Sequence, residues 1–183
     1  MSNIRSLKPN VTREQAILQF SASGVPRLFR NAAFGRLRSV AELYIPFRLF
    51  QVQISNRGKT EQLLVALDGV SGTLDLFHFD HVPTDAETIR LETRNHLSGS
   101  LDSAAAGSQL MAKLRRIAYG RGFFRLQGLE IHASPVDAIH IPYWLGFRGS
   151  DARARVSVID AVRRRFEGAK VRRMVEAWLT TKR

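Results

Sequence analysis

The first apolar pattern along the chain predicts a helix that begins at Thr12. Thr12 and Gln15 have the spacing of a capping box, in which each side chain accepts a hydrogen bond from the backbone N–H of the other residue. The apolar residues that share one face of this helix are Ala16, Ile17 and Phe20. Gly24 and Pro26 predict that the helix ends shortly afterwards.

Two further helices are predicted in the second half of the chain. Asp102 or Ser103 is expected to cap the first of them, and Gly120 and Gly122 are expected to stop it. Its apolar face consists of Leu110, Met111, Leu114, Ile117 and Ala118. The last helix starts near Gly168 and is amphipathic. Its apolar stripe, which is predicted to pack on a core, consists of Val171, Met174, Val175, Trp178 and Leu179.

Between the helices the apolar period changes to two, which predicts β-strands. The predicted strands cover residues 47–54, 63–67, 73–79, 123–132, 136–147 and 152–159. Gly58 suits a tight turn between the first two strands, so they are expected to form an antiparallel hairpin. Residues 81–101 are polar and lack strong periodicity, and they are predicted to be a connector.

Two phrases occur twice, in the same order. Residues 45–49 (IPFRL) match residues 141–145 (IPYWL), and residues 64–70 (LVALDGV) match residues 156–162 (VSVIDAV). In each copy the two phrases follow a predicted helix. The number of residues between the two phrases differs between the copies, and this difference falls in the hairpin turn, where insertions are best tolerated. The repetition predicts an internal duplication.

The predicted fold class is α+β, with two tandem copies of a helix plus antiparallel β-meander unit and a C-terminal amphipathic helix. The expected organisation is a first repeat over residues 1–82, a connector over 83–101 and a second repeat over 102–183. Pro46 and Pro142 cannot donate to a strand ladder, so they are expected at strand starts, bulges or edges.

Asp68 and Asp160 end the second apolar phrase in each predicted copy. An aspartate at such a position can accept backbone N–H hydrogen bonds in the following turn, which is the structural interpretation of both residues. The catalytic alternative is that duplication brings the two carboxylates together as an acid and base pair.

The helix followed by an Asp-terminated hairpin resembles the PepSY-type unit of bacterial peptidase propeptides and sensor proteins. Residues 12–16 and 64–72 carry this resemblance in the first copy, and residues 156–162 carry it in the second. The resemblance implies a helix-plus-hairpin fold and a binding role, because that family is thought to bind or inhibit peptidases and typically acts outside the cytoplasm. A looser likeness, through residues 141–144, is to bacterial domains with a Pro-Tyr-Trp strand.

The positive charge of the chain is concentrated in its second half. The formal net charge is +12, and residues 92–183 hold 17 basic and 8 acidic side chains against 11 and 8 in residues 1–91. A basic surface attracts nucleic acid, anionic lipid or an acidic protein through its long-range field. The candidate anion-binding residues are Arg163, Arg164, Arg165, Arg172 and Arg173. An alternative stays open, because a bias of 23 Arg to 5 Lys also follows from GC-rich codon usage.

The remaining composition excludes several kinds of site. The absence of cysteine excludes disulfides, thiolate zinc ligands and a cysteine nucleophile. His78, Asp80 and His81 are the densest group of potential ligands, but only His78 and Asp80 share one face of a strand, and a metal centre needs at least three ligands. The sequence carries neither a phosphate-binding glycine loop nor a nucleophile elbow. We therefore predict no metal site, no cofactor and no catalytic residue.

These observations favour a non-enzymatic binding or interaction module. The expected partner is a protein or an anionic ligand, and nucleic acid and a second copy of the chain are further alternatives. A hydrolase that uses Asp68 and Asp160, or the group around His78, is the alternative from a different class. The N-terminal residues lack the apolar core of a signal peptide, and no run is long enough to span a membrane, which predicts a cytoplasmic location.

Overall fold

A computed structural model describes residues 1–21, 36–56, 59–120, 128–149 and 155–181. This part of the chain contains three helices and eight strands, which makes the protein α+β. The helices are α1 (Arg13–Ser21), α2 (Ser103–Gly120) and α3 (Ala169–Thr181). The strands are β1 (Ser2–Leu7), β2 (Leu37–Asn56), β3 (Lys59–Asp68), β4 (Phe77–Phe79), β5 (Thr88–Thr93), β6 (Leu129–Arg148), β7 (Arg155–Asp160) and β8 (Arg165–Phe166).

The strands form a mixed sheet. Six of them follow the order β4-β3-β2-β6-β1-β5, and β7 pairs with both β6 and β8. The β2–β3 pair is antiparallel, as the sequence predicts for this hairpin, and it places Phe47 opposite Asp68. The β6–β7 pair is also antiparallel and places Tyr143 opposite Asp160. An isolated parallel bridge joins Tyr44 to His96.

The chain divides into two compact units, each assembled from separate stretches of sequence. Unit 1 comprises Met1–Tyr44, Ile89–Leu97 and Ile141–Arg183, and unit 2 comprises Ile45–Thr88 and Ser98–His140. Strands β2 and β6 each contribute to both units, because the boundaries fall inside these two 20-residue strands.

The core of unit 2 lies between helix α2 and the β2–β3 hairpin. The buried residues of this core are Phe50, Val52, Val65, Leu67, Ala106, Leu110 and Leu114. Asp102 caps α2 by accepting a hydrogen bond from the N–H of Ala105 at 2.7 Å, and a carboxylate at this end also opposes the helix dipole. Arg48 holds the same end of the helix, since its guanidinium donates to the carbonyl of Leu101 at 2.8 Å.

The core of unit 1 lies between helix α1 and the β6–β7 pair. Its buried residues are Val11, Ala16, Phe20, Trp144, Ile159 and Ala161. The predicted capping box is present, because the N–H of Thr12 donates to Gln15 and the N–H of Gln15 donates to Thr12, at 3.0 and 3.3 Å. The indole N–H of Trp144 donates to the carbonyl of Val11 at 2.8 Å and so fixes the start of the helix.

Helix α3 packs on β7 through the stripe that its sequence predicts. Val171 and Val175 are buried, and Met174, Trp178 and Leu179 are half-buried. The predicted faces of the other helices need correction, because Ile17 on α1 and Ile117 on α2 are 36% and 41% exposed. The predicted end of α1 at Gly24 and Pro26, the turn at Gly58 and the residue Gly122 lie outside the described residues.

Three strand predictions differ from the structure. Only Phe77–Phe79 of the predicted strand 73–79 is a strand, because the N–H of Leu74 turns back to donate to the carboxylate of Asp68 at 2.8 Å. The segment predicted as a connector contains β5, a short strand whose two central apolar residues gave a weak pattern. Residues 129–148 form one continuous strand and not the two segments predicted around Pro135. Strands β1 and β8 were not predicted.

Gly146 is the position in unit 1 where a side chain would disturb the core most directly. A Cβ at this residue would lie 2.7 Å from Cδ1 of Phe20, so Gly146→Ala is expected to lower the free energy of unfolding by about 1–3 kcal/mol through overpacking. Gly107→Ala in helix α2 is the control. It meets nothing within 4 Å and should raise the free energy of unfolding by about 0.5–1 kcal/mol, because alanine favours a helix. Urea unfolding of both variants measures the two signs, and equal effects would contradict this description of the core.

Candidate functional site

Unit 1 contains a cavity of about 290 Å³ between its strands and helices α1 and α3, which we call the arginine cavity. Three arginines of the described part of the chain line it: Arg148 at the end of β6, Arg155 at the start of β7, and Arg172 on α3. Glu176, one helical turn after Arg172, also lines the cavity. Among the described residues of the lining, the ionisable side chains therefore carry a clear excess of positive charge.

Arg148 and Arg155 lie directly opposite each other across the β6–β7 pair. Like charges at directly opposed positions of an antiparallel pair are destabilising. Arg148 is only 5% exposed, and its guanidinium donates a hydrogen bond to the carbonyl oxygen of Phe20 in the last turn of α1. This contact gives Arg148 a structural role.

Two aromatic rings complete the cavity. The rings of Phe20 and Phe166 meet edge to face, with centroids 5.8 Å apart and an interplanar angle of 71°. Phe20 is buried, whereas Phe166 is 50% exposed and so presents part of its ring to the solvent side of the cavity. Ser157, on β7, adds a hydroxyl group to the lining.

Only one of the five predicted anion-binding arginines lines this cavity. Arg172 does so, and Arg173, its neighbour on α3, is exposed and does not line it. Arg163 lies 3.6 Å from the carboxylate of Asp160, and Arg165 lies 3.3 Å from that of Glu167. Arg164 is exposed, with a φ of 59° at the end of a turn.

Arg148 and Arg155 were missed by the sequence analysis. The signal that could have found them is their position in the predicted hairpin, because pairing Tyr143 with Asp160 also pairs Arg148 with Arg155. Two arginines at directly opposed strand positions break the usual preference for complementary pairs.

Asp68 is buried and binds the turn that follows β3. Its Oδ1 accepts hydrogen bonds from the N–H groups of Ser71 and Gly72 at 2.7 and 2.9 Å, and its Oδ2 accepts one from Leu74. Gly72 has a φ of 67°, a conformation that favours glycine. The carboxylate thus holds the chain in a tight turn.

Asp160 binds the corresponding turn after β7. Its Oδ1 accepts hydrogen bonds from the N–H groups of Val162 and Arg163 at 2.9 and 2.8 Å. Its Oδ2 has no hydrogen-bond partner among the described residues. Burial raises the pKa of Asp160, since desolvation disfavours its charged form, although the two amides and Arg163 act in the opposite direction. Burial also lowers the pKa of Arg163.

The group around His78 does not form a metal site in the described part of the chain, where no three histidine or carboxylate residues come together as ligands. His78 and Asp80 are exposed. His81 lies 3.0 Å from Glu87, which also accepts hydrogen bonds from the backbone and hydroxyl of Thr84. These donors, the backbone N–H of Thr84 first, lower the pKa of Glu87 to about 2.

Unit 2 contains a larger cavity of about 560 Å³ beside helix α2. Small residues of the helix line it, among them Ser103, Ala104, Gly107 and Ser108. Arg115 is the one ionisable side chain in its described lining. The arginine cavity is smaller, but its concentrated charge makes it the better candidate for a site.

Comparison with known proteins gives no match to a family model, to a curated protein or to a solved structure. The resemblance to PepSY-type units therefore stays a prediction. Within the described residues, no helix has the length and apolar character needed to cross a membrane.

The stability of unit 1 is expected to depend on the protonation of Asp160. Because its folded pKa is raised, its favourable contribution is complete below the unfolded pKa of about 3.9 and is lost as pH rises through the folded pKa. Asp160→Asn keeps an oxygen acceptor and removes the charge. The free energy of unfolding of the variant minus that of the natural protein should thus be largest near neutral pH and should shrink on acidification. Urea unfolding across that range measures the difference, and a difference that grows on acidification would contradict the assignment.

Glu87 is expected to titrate far below an ordinary glutamate. Its pKa of about 2 means that the carboxylate stabilises its turn above the unfolded pKa of about 4.3, and that this contribution is lost as pH falls toward 2. Carboxyl-detected NMR measures the pKa directly. Thr84→Val removes the hydroxyl donor and should raise the pKa of Glu87, whereas an unchanged pKa would show that this hydroxyl does not stabilise the charge.

Proposed function

We propose that the protein is a non-catalytic binding module and that the arginine cavity is its binding site for an anionic ligand. The observation that carries this proposal is the opposed pair Arg148 and Arg155, with Arg172 in the same lining. A phosphate or carboxylate bound among these guanidinium groups would carry a charge opposite to theirs. Guanidinium groups also bind such anions through strong, directed hydrogen bonds.

We also propose that the chain arose by duplication, as its two repeated phrases suggest. The supporting contacts agree residue by residue: Phe47 pairs with Asp68 as Tyr143 pairs with Asp160. The residue after each aspartate donates its N–H to the carbonyl of the repeated proline, at 2.7 Å from Gly69 and 3.1 Å from Ala161. The backbone N–H four residues after each aspartate donates to that aspartate's own carbonyl.

The helices support the same duplication, because two buried residues recur with the same spacing in both. In α1 the buried residues are Ala16 and Phe20, and in α2 residues 90 positions later, Ala106 and Leu110, are buried. The helix of the first copy packs on the β6–β7 pair of the second, and the helix of the second copy packs on the β2–β3 hairpin of the first. We therefore propose that the two copies have exchanged helices, so that each compact unit combines the helix of one copy with the paired strands of the other.

The arginine cavity lies where the paired residues of the two proposed copies differ in character. The two hairpins can be aligned on the residue pairs that contain Asp68 and Asp160. In this alignment the opposed pair Val52 and Leu63 corresponds to the opposed pair Arg148 and Arg155. Likewise, Phe50 opposite Val65 corresponds to Gly146 opposite Ser157. These residues of unit 2 pack in or against its apolar core, whereas Arg148, Arg155 and Ser157 line the cavity of unit 1. The comparison supports a site gained when one copy lost its apolar packing.

The other candidate functions have less support. A nucleic-acid interface across Arg163, Arg164 and Arg165 would compete with the carboxylates that lie beside two of them. The hydrogen bonds of Asp68 and Asp160 support a role in their turns, and no described contact favours a hydrolase. Peptidase binding, implied by the PepSY resemblance, and a cytoplasmic location stay predictions.

Titration calorimetry with inorganic phosphate, against a chloride background of about 50 mM, tests the proposed site. The natural protein should bind phosphate, and Arg155→Gln and Arg172→Gln should each weaken binding about tenfold. This is the expected effect of losing one charge-assisted hydrogen bond of roughly 1.5 kcal/mol. Both arginines are exposed to solvent, so neither substitution should unfold the chain.

Arg173→Gln is the matched control, because it removes the same charge from the next residue of α3, which does not line the cavity. It should leave phosphate binding within about twofold of the natural value, as expected for a screened surface charge. The absence of phosphate binding would contradict the proposal. An equal effect of Arg172→Gln and Arg173→Gln would also contradict it, since it would indicate diffuse attraction by a basic surface.

A further inference from the structure

The lining of the arginine cavity is more specific than an anion alone requires. Glu176 lies in the same lining as Arg148, Arg155 and Arg172. A carboxylate only accepts hydrogen bonds at neutral pH, and it repels a bare phosphate. Its presence therefore indicates a ligand that carries hydrogen-bond donors in addition to its negative charge.

Phe166 gives the second indication. Its ring is 50% exposed at the cavity, and the edge-to-face contact with Phe20 fixes its orientation. An exposed phenyl ring is a surface on which a heteroaromatic ring can stack, and such stacking tolerates any nucleobase. The cavity thus offers a flat apolar surface beside its cationic groups.

The size of the cavity limits the ligand. A volume of about 290 Å³ stands at the lower end of small-molecule sites, which range over about 300–1,000 Å³. This volume suits one phosphate, one sugar and one base, and it does not suit a longer chain of nucleotides within the cavity.

Resting on the proposed anion site, we propose that the ligand is a nucleoside monophosphate. The phosphate binds Arg148, Arg155 and Arg172, the base stacks on Phe166, and Glu176 accepts N–H hydrogen bonds from the edge of the base. Guanine fits this arrangement best, because its ring N–H and its adjacent amino group can donate together to one carboxylate.

Calorimetry with guanosine 5′-monophosphate and with ribose 5-phosphate tests the inference, since the second probe carries a hydroxyl group at the sugar carbon where the nucleotide carries its base. The nucleotide should bind the natural protein about tenfold more tightly than ribose 5-phosphate, from stacking and from the contact with Glu176. Phe166→Leu keeps an apolar side chain and removes the stacking surface. It should weaken nucleotide binding about fivefold and leave ribose 5-phosphate binding unchanged.

Glu176→Gln gives a readout with opposite signs. It should weaken the binding of guanosine 5′-monophosphate several-fold and strengthen the binding of ribose 5-phosphate, because one negative charge is removed from the cavity. A purely structural role for Glu176 would change the affinities of both probes in the same direction and would overturn its assignment.

The remaining outcomes separate this inference from the proposed function. Equal affinity for the two probes, with the binding of both weakened by Arg172→Gln, would overturn the assignment of a nucleotide as the ligand and leave the proposed anion site intact. Binding of neither probe, nor of inorganic phosphate, would overturn the anion site itself. Tighter binding of a single-stranded oligonucleotide, weakened by Arg164→Gln and Arg173→Gln but not by Phe166→Leu, would overturn the inference in favour of a nucleic-acid surface.

Discussion

A carboxylate that is buried at the end of an apolar strand needs hydrogen-bond donors, and the following turn supplies them to both oxygens of Asp68 and to one oxygen of Asp160. Asp68 and Asp160 each accept hydrogen bonds from backbone N–H groups a few residues later in the chain. The carbonyl of the residue that follows each aspartate accepts a hydrogen bond from the segment that leads into a helix. Asn10 donates to Ala161 and Ser100 donates to Gly69, at 2.7 and 2.9 Å. The aspartates thus set the position at which α1 and α2 begin.

The sequence was sufficient for the elements whose signals are local. The capping box of α1, the cap of α2 and the stripe of α3 each depend on residues within one element, and the β2–β3 hairpin depends on two strands that are adjacent in sequence. Strands β1 and β5 were missed because each has only a few apolar residues on its buried side. Strand β4 is shorter than predicted because Asp68 draws Leu74 into its turn, a contact that apolar periodicity does not report. The choice of sheet partner for each helix depends on contacts distant in sequence.

The candidate site shows the same limit. A cluster of arginines along the sequence led to Arg163 and Arg165, but nearby carboxylates lie beside these two residues. Arg148 and Arg155 are separated by a segment of the chain and are brought together by strand register. Arg172 was predicted from charge alone, and its place in a cavity depends on how α3 packs on β7. Clusters in sequence and clusters in space are therefore different sets of residues in this protein.

The placement of α1 has a consequence for synthesis on the ribosome. The bond from Trp144 to Val11 joins residues 133 positions apart, and the bond from Arg148 to Phe20 joins residues 128 positions apart. The N-terminal helix is translated early, but the strands that cover Ala16 and Phe20 are translated late. Its apolar face must wait for most of translation before it is buried, and loop closure over such a distance is slow. A chain interrupted before residue 141 would carry this helix without its partner strands, and such a fragment should be recognised as incomplete by the quality-control machinery of the cell.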